Sequence, residues 1–343
     1  IKTLAYKSTL LFGFLLIIFA CFTYHQLFST LTLSNEIIFV PKKTTFEVLK
    51  DTLKSNNLLK NEYFFDLFCS KKKFNKIHPG RYEITANMNT NSMINMLRLG
   101  AQKPLNIIFN NTSTIYDLAH KISLQIDADS TSLIMAFTDR DFYLNNNLDE
   151  ASIRKLFIPN TYQVYWTISP KDFLDRMYRE YQAFWSEERL QKAQKIGLNP
   201  HEVSVLASIV QKESAKVDEQ PIVAGLYLNR LRQNMKLQSD PTVIYAMKEK
   251  EGFDLVVKRV LRKDLKIESL YNTYLHKGLP PNPICIPEMS AILSVLNYSK
   301  HNYIYMCAKE DFSGYHNFTK SWTEHKRNAK LFQNALSLKG VMR

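Results

Sequence analysis

From Ser8 to Asn35 the chain carries no Asp, Glu, Lys or Arg. Within this stretch Thr9 to Phe28 reads TLLFGFLLIIFACFTYHQLF. Its length, about 20 residues, spans roughly 30 Å at the rise of an α-helix, the thickness of a bilayer's hydrocarbon core. A helix with no polar face needs apolar surroundings on every side, so this segment reads as a membrane span. Lys2 and Lys7 precede it, which puts the N-terminus in the cytoplasm and everything after Ser34 outside. The alternative is a cleaved signal peptide. Against it, the apolar run is long for a signal core, and bulky Tyr24, His25, Leu27 and Phe28 stand where a small-x-small cleavage site is needed. Residues 1–34 are therefore expected to form a cytoplasmic tip and a single-pass anchor.

The remainder is ordinary globular chain. Of 343 residues, 45% are hydrophobic and 22% charged, which excludes both a disordered chain and a polytopic membrane protein. The length fits about two domains. Lys+Arg 45 against Asp+Glu 32 gives a net charge of +13, an attraction towards something anionic: nucleic acid, lipid headgroups or an acidic polymer. Nine glycines leave little room for Gly-rich nucleotide loops. Cys21, Cys69, Cys285 and Cys307 lie far apart, without zinc or redox spacing; one bridge among Cys69, Cys285 and Cys307 stays open, with buried free thiols the preferred reading.

Ile37 to Val40, ended by Pro41, is strand-like, and Thr45 opens an amphipathic helix with Val48, Leu49 and Leu53 on one side. A second helical stretch, Tyr63 to Phe68, leads through Lys71-Lys72-Lys73, read as a solvated turn, to Pro79-Gly80 and another strand. Strand, helix, helix, strand makes a small α+β module, 36–102. After its second strand, Ser92 to Leu99 is expected as a helix closed by Gly100, Pro104 to Phe109 as a strand, and Thr114 to Ile122 as a helix. Pro170 to Trp185 carries Phe173, Leu174, Met177, Tyr181 and Phe184 at helical spacing, a core stripe.

Asn199-Pro200-His201-Glu202 combines a capping Asn, a Pro suited to the first helical position and a Glu placed to close a capping box. In the helix that follows, Val203, Leu206, Ala207 and Val210 form one stripe, and Glu213 falls at its edge, between the directions of Leu206 and Ile209. A carboxyl partly withdrawn from water has a raised pKa and can serve as a general acid; a helix-end Glu turned to solvent is the other reading. A helix from Glu219 to Asn234 carries Ile222, Val223, Leu226 and Leu231. Asp240 precedes Pro241 and reads as a helix N-cap. Tyr271 to Tyr274 and Gly278 to Pro283 form a loop of aromatics, amides and prolines, usable as turns or as a surface for sugar rings.

Together, Ala207 to Ser214, Asn229-Arg230-Leu231, Leu237 to Tyr245, Tyr271 to Tyr274, Gly278 to Ile284, and His316-Asn317-Phe318 with His325 closely resemble the YceG-like endolytic murein transglycosylase family. The match is strong over 157–336 within a region, 103–343, expected to be catalytic. Upstream it is looser, but the anchor and a module resembling a LysM-like glycan-binding domain fit the family's architecture. The expected fold class is thus α+β: one N-terminal transmembrane helix, a LysM-like βααβ module, and a mixed α+β lytic transglycosylase domain. The family often carries an acid where this chain has Gln211, which leaves Glu213, followed by Ser214, as the only acid of that motif. The resemblance implies that Glu213 is the catalytic acid and base. It also implies that Ser214, Gln238, Asp240, Thr242, Tyr245, Asn272 and Tyr274 line the substrate cleft, with no cofactor and no metal.

It further implies a lyase of the inner (cytoplasmic) membrane with its catalytic domain on the outer side. This enzyme cuts the β-1,4 bond between N-acetylmuramic acid and N-acetylglucosamine inside nascent peptidoglycan strands, beside the peptidoglycan synthases, the penicillin-binding proteins. Nucleic acid is disfavoured as a partner, because the basic part lies beyond the anchor and no nucleic-acid motif is present. Two rivals remain. A muramidase would need a second carboxylate from Asp240 or Asp218; a noncatalytic anchored scaffold would hold wall glycan through the small module alone.

Overall fold

The computed structural model describes residues 2–110, 112–146, 148 and 150–338. The end of the region assigned to catalysis, 339–343, and the side chain of Lys2 lie outside the described residues. The chain divides into two compact units: 1–107 with 123–129 and 162–169, and 108–122 with 130–161 and 170–343.

The first unit begins with one continuous helix, α1 (Lys2–Phe28). Its stretch Tyr6–Phe28, 23 residues with a mean hydropathy of 1.9, is long and apolar enough to cross a membrane. Leu11, Phe12, Ile17 and Phe19 are exposed on it, and the Thr23 hydroxyl turns back onto the Phe19 and Ala20 carbonyls, the way a hydroxyl is satisfied in an apolar helix. The expected module follows: β1 (Glu36–Val40), α2 (Phe46–Ser55), α3 (Glu62–Lys71) and β2 (Gly80–Ile84), then α4 (Thr90–Leu99). β1 and β2 pair antiparallel, with Ile38 opposite Tyr82. Thr45 and Asn61 cap α2 and α3 by accepting from Val48 N and Phe64 N, satisfying donors that a helix start leaves orphaned. The core is built from Ile38, Leu49, Leu53, Phe65, Tyr82 and Ile94. Val48, expected beside Leu49 and Leu53, is instead half exposed, because the buried face of α2 turns towards Lys50, whose ammonium reaches Glu47 and Asp66. Of the three lysines expected as a solvated turn, Lys71 ends α3, Lys72 caps it and donates to Asn95, and Lys73 sits in the turn at φ 54°.

β3 (Leu105–Ile108) and β4 (Thr161–Val164) form a second two-stranded sheet, with α5 (Ile115–Ser123), α6 (Ser130–Phe137) and α7 (Arg140–Asn145) between them in sequence. The second unit then runs α8 (Pro170–Phe184), α9 (Glu187–Ile196), α10 (Pro200–Glu213), α11 (Gln220–Arg232), α12 (Asp240–Glu251), α13 (Met289–Leu296), β5 (Tyr305–Ala308), β6 (His316–Thr319) and α14 (Trp322–Leu338). At its centre, α10 packs against α9, α11, α12 and α13. The sequence periodicity predicts one buried stripe on α10, but every residue from Val203 to Val210 is buried. With helices on all sides, even Ser204 and Ser208 go inside, and each hydroxyl finds a carbonyl within its own helix.

Candidate active site

The capping box at Asn199 and Glu202 is present in full, and it fixes where α10 begins. Fourteen helical residues later the helix ends on Glu213, whose carboxyl opens onto a cavity of about 230 Å³. One oxygen, Oε1, accepts from the Tyr227 hydroxyl of α11 at 2.7 Å and from the Ser239 hydroxyl at 2.5 Å. The other, Oε2, has no partner among the described residues. Burial raises the Glu213 pKa above the ordinary carboxylate range; the Ser239 and Tyr227 donors oppose the shift, and the charge of Asp240 adds to it. Desolvation prevails over two good hydrogen bonds because it penalises the ion as a whole. With two donors on Oε1, Oε2 is the oxygen that carries the proton when the carboxyl is protonated.

Across the cavity Asp240, at the start of α12, accepts from the Tyr274 hydroxyl at 2.6 Å. Burial and the carboxylate it bonds hold that phenol protonated. The N-cap expected at Asp240 is displaced by one residue: Ser239 takes the cap position and makes no side-chain cap hydrogen bond, since its hydroxyl is turned to Glu213. Asp240 is thereby released for Tyr274. Its neighbour Gln238 also lines the cavity, with its backbone at φ 51°, a conformation that costs a non-glycine residue about 1–2 kcal/mol.

His316 of β6 closes another side. Its Nδ1 and backbone N–H both meet the buried carboxylate of Glu219, at 2.8 and 2.7 Å, and the Ser214 hydroxyl donates to the same group at 2.8 Å. Glu219 therefore orients the ring and leaves Nε2 for the cavity. Arg230 also lines the cavity, with Nε donating to Ile304 O at 2.7 Å and Nη1 to Leu237 O at 2.7 Å. Its neighbour Asn229 donates to His301 O and Tyr303 O, so this Asn-Arg pair clamps the strand segment carrying β5 against α11. Among the described residues no group of His, Cys, Asp and Glu is arranged to hold a metal ion.

The YceG-like family profile matches residues 38–331. The chain belongs to the YceG-like family. A relative named endolytic murein transglycosylase from Bacillus subtilis (strain 168) is 27% identical over 305 residues, covering 84% of this chain and 82% of that protein. Proteins of the same name from Streptococcus pneumoniae strains D39 and R6 are each 23% identical over 324 residues, covering 84% of this chain but only 57% of theirs. A crystal structure of a yceG-like protein from Listeria monocytogenes superposes with a TM-score of 0.56 over 86% of this chain and 98% of that one, at 22% identity, which shows a shared fold.

In this YceG-like chain the expected cleft residues separate into two groups. Glu213, Gln238, Asp240 and Tyr274 meet at the cavity. Ser214, Thr242, Tyr245 and Asn272 do not line it, and the structure gives each other work. Ser214 is 1% exposed and spent on Glu219. Thr242 shares a hydrogen bond with Thr273 at 2.8 Å. Tyr245 accepts from Arg154 at 2.8 Å, beside a different cavity. Asn272 is fully buried; its amide donates to Leu265 O and Ile267 O while its Oδ1 accepts from Tyr274 N. It is a loop brace with no group left to hold a sugar. Other motifs of this YceG-like chain are scaffold too: Ser208 Oγ accepts from Ile284 N at 3.0 Å and Gln211 Oε1 from Glu288 N at 2.6 Å. Gln211, where the family often has an acid, thus supports the start of α13. Sequence reasoning does not single out Tyr227, Ser239, Glu219 or Arg230 for the site; the signals that point towards it are the motifs Asn229-Arg230-Leu231, Leu237 to Tyr245, which contains Ser239, and His316-Asn317-Phe318.

Proposed function

We infer that this chain is a membrane-anchored lytic transglycosylase that cuts peptidoglycan glycan strands internally. The observation that carries this reading is Glu213: a carboxyl whose pKa burial raises, with one oxygen fixed by two hydroxyls and the other without a partner among the described residues, at a cavity. The name shared by the Bacillus and Streptococcus relatives supports the substrate.

The reaction needs one group in two successive roles. Glu213 Oε2–H gives its proton to the glycosidic oxygen as the bond from C1 of the muramoyl residue breaks, and positive charge spreads over C1 and the ring oxygen. The departing proton leaves a carboxylate that Tyr227 and Ser239 already solvate, so no reorganisation is required as charge develops. That carboxylate then takes the proton of the C6 hydroxyl as O6 bonds to C1. A 1,6-anhydromuramoyl end forms, no water is consumed, and Glu213 is again protonated. Asp240, Tyr274 and His316 Nε2 surround the sugar with acceptors and donors.

A muramidase is the second reading, favoured by one observation: Asp240 lines the same cavity and its charge acts on Glu213. Water activated by Asp240 would then replace O6. The end groups of the products decide between them, 1,6-anhydromuramic acid for the lyase and reducing muramic acid for the muramidase.

α1 serves as the single-pass anchor, with Lys2 and Lys7 on the cytoplasmic side and the chain after Ser34 outside. The β1-α2-α3-β2 module, whose antiparallel pair flanks two helices, acts as a LysM-like contact to wall glycan. So placed, the enzyme works on strands emerging from peptidoglycan synthases and limits their length.

A further inference from the structure

The last turn of α10 borders two cavities. Glu213 lines the one described above, and its neighbour Lys212 lines a second, of about 170 Å³. The start of α12 is divided in the same way, Asp240 on the first and Pro241 on the second. The second cavity therefore lies against the same two chain segments that carry the carboxyls.

Its chemistry is amphipathic. Ile244, Tyr245, Phe253 and Ile284 give it an apolar wall, with the Tyr245 and Phe253 rings edge to face at 5.7 Å. The Arg154 guanidinium lies over the Tyr245 ring at 5.4 Å and donates to its hydroxyl. Lys212 and Lys248 line the cavity, and their ammonium groups have no carboxylate or hydrogen-bond partner among the described residues. Two lysines on an apolar hollow, with Arg154 behind its Tyr245 wall, match a ligand that is both acidic and partly apolar. The neutral hydroxyls and N-acetyl groups of a sugar use neither the charge nor the depth.

We propose that this second cavity is the subsite for the peptide substituent of the glycan strand, with a peptide carboxylate between Lys212 and Lys248 and an apolar side chain against Phe253 and Ile244. The proposal rests on the peptidoglycan reading above and adds a specificity determinant to it: the enzyme prefers strands that carry peptide. The site touches no reacting atom; it seats the strand.

The test uses the full chain in detergent on two substrates, uncrosslinked peptide-bearing strands and the same strands stripped of peptide by an amidase. Wild type cleaves peptide-bearing strands with the higher kcat/KM. The Lys212→Gln/Lys248→Gln double variant loses about tenfold on them, the size expected for two partly exposed charge pairs, and keeps the wild-type rate on stripped strands. Added salt erodes the wild-type preference, and the Lys212→Arg/Lys248→Arg variant retains it. A double variant that loses nothing on peptide-bearing strands, or loses equally on both, overturns the subsite. Wild type cleaving both substrates equally overturns it too, while leaving the lytic reading intact. Wild type cleaving neither overturns the lytic reading and the subsite with it.

Discussion

The Tyr227 hydroxyl donates to Glu213 Oε1 at 2.7 Å from the neighbouring helix α11. This bond favours the ionised acid, against the burial that favours the neutral one. Its loss in Tyr227→Phe moves the Glu213 pKa further up. The general acid must be protonated to act, so the limb of the pH–rate profile where activity falls with rising pH shifts to higher pH. The plateau rate drops roughly ten- to a hundredfold, since a hydrogen bond to the developing carboxylate is worth about 1.5–3 kcal/mol. Ser239→Ala changes both quantities in the same directions. Initial rates across pH for the two variants check this; an unshifted limb counts against Glu213 as the titrating acid.

Asn272 acts through the fold. Removing its amide in Asn272→Ala leaves the Leu265 and Ile267 carbonyls without their donor inside the protein. A stability loss of about 2 kcal/mol is expected, with activity falling because Tyr274 loses the bond from its backbone N–H to Asn272 Oδ1. Urea unfolding beside the cleavage rate tests this: a variant of wild-type stability that fails only to bind glycan would return Asn272 to the substrate.

Gly225 lies in α11, where a Cβ would meet Ser299 O at 2.3 Å and His301 Nε2 at 2.7 Å. A backbone oxygen cannot yield as a flexible side chain can. Although alanine is the better helix former by about 1 kcal/mol, Gly225→Ala is expected to destabilise by about 2 kcal/mol or more, and to weaken activity by lifting the segment that Asn229 and Arg230 clamp. Thermal unfolding with the rate measured in parallel checks both.

Glu213 also leaves a mark on stability. Its folded pKa lies above the unfolded value of 4.5, so its favourable contribution is complete below about that pH and is lost as pH rises through the folded pKa. Glu213→Gln has no charge to bury. Relative to wild type it gains stability as pH rises through that window, and the difference is flat below it. Melting temperatures of the two proteins from pH 4 to pH 8 (on the order of the ordinary carboxylate and neutral ranges) show this divergence, or its absence.

What the sequence makes legible here is local. The Asn199 to Glu202 spacing fixes the start of α10, and helical periodicity from there sets Glu213 at the edge of a buried face, where the structure has it. The partners of that carboxyl are not local: Tyr227 and Ser239 stand 14 and 26 residues away, and no periodicity links them. The same distance hid the pairing of Glu219 with His316, 97 residues apart. Asn272 misled for a physical reason, because an amide among aromatics and prolines suits a sugar and suits a loop brace equally well, and only its burial separates the two. The strand-helix-helix-strand order of the first unit was readable from turns and caps. That 123–129 and 162–169 also belong to it was not, since chain that returns from a distance carries no local sign of where it docks. α14 buries none of its residues, and only its contacts with β5 and β6 set its place.

The most direct test is mass spectrometry of glycan fragments released by the full chain beside its Glu213→Gln variant. The account predicts internal fragments ending in 1,6-anhydromuramic acid from wild type and none from the variant, with both proteins folded. Cleavage by Glu213→Gln at close to the wild-type rate would contradict it.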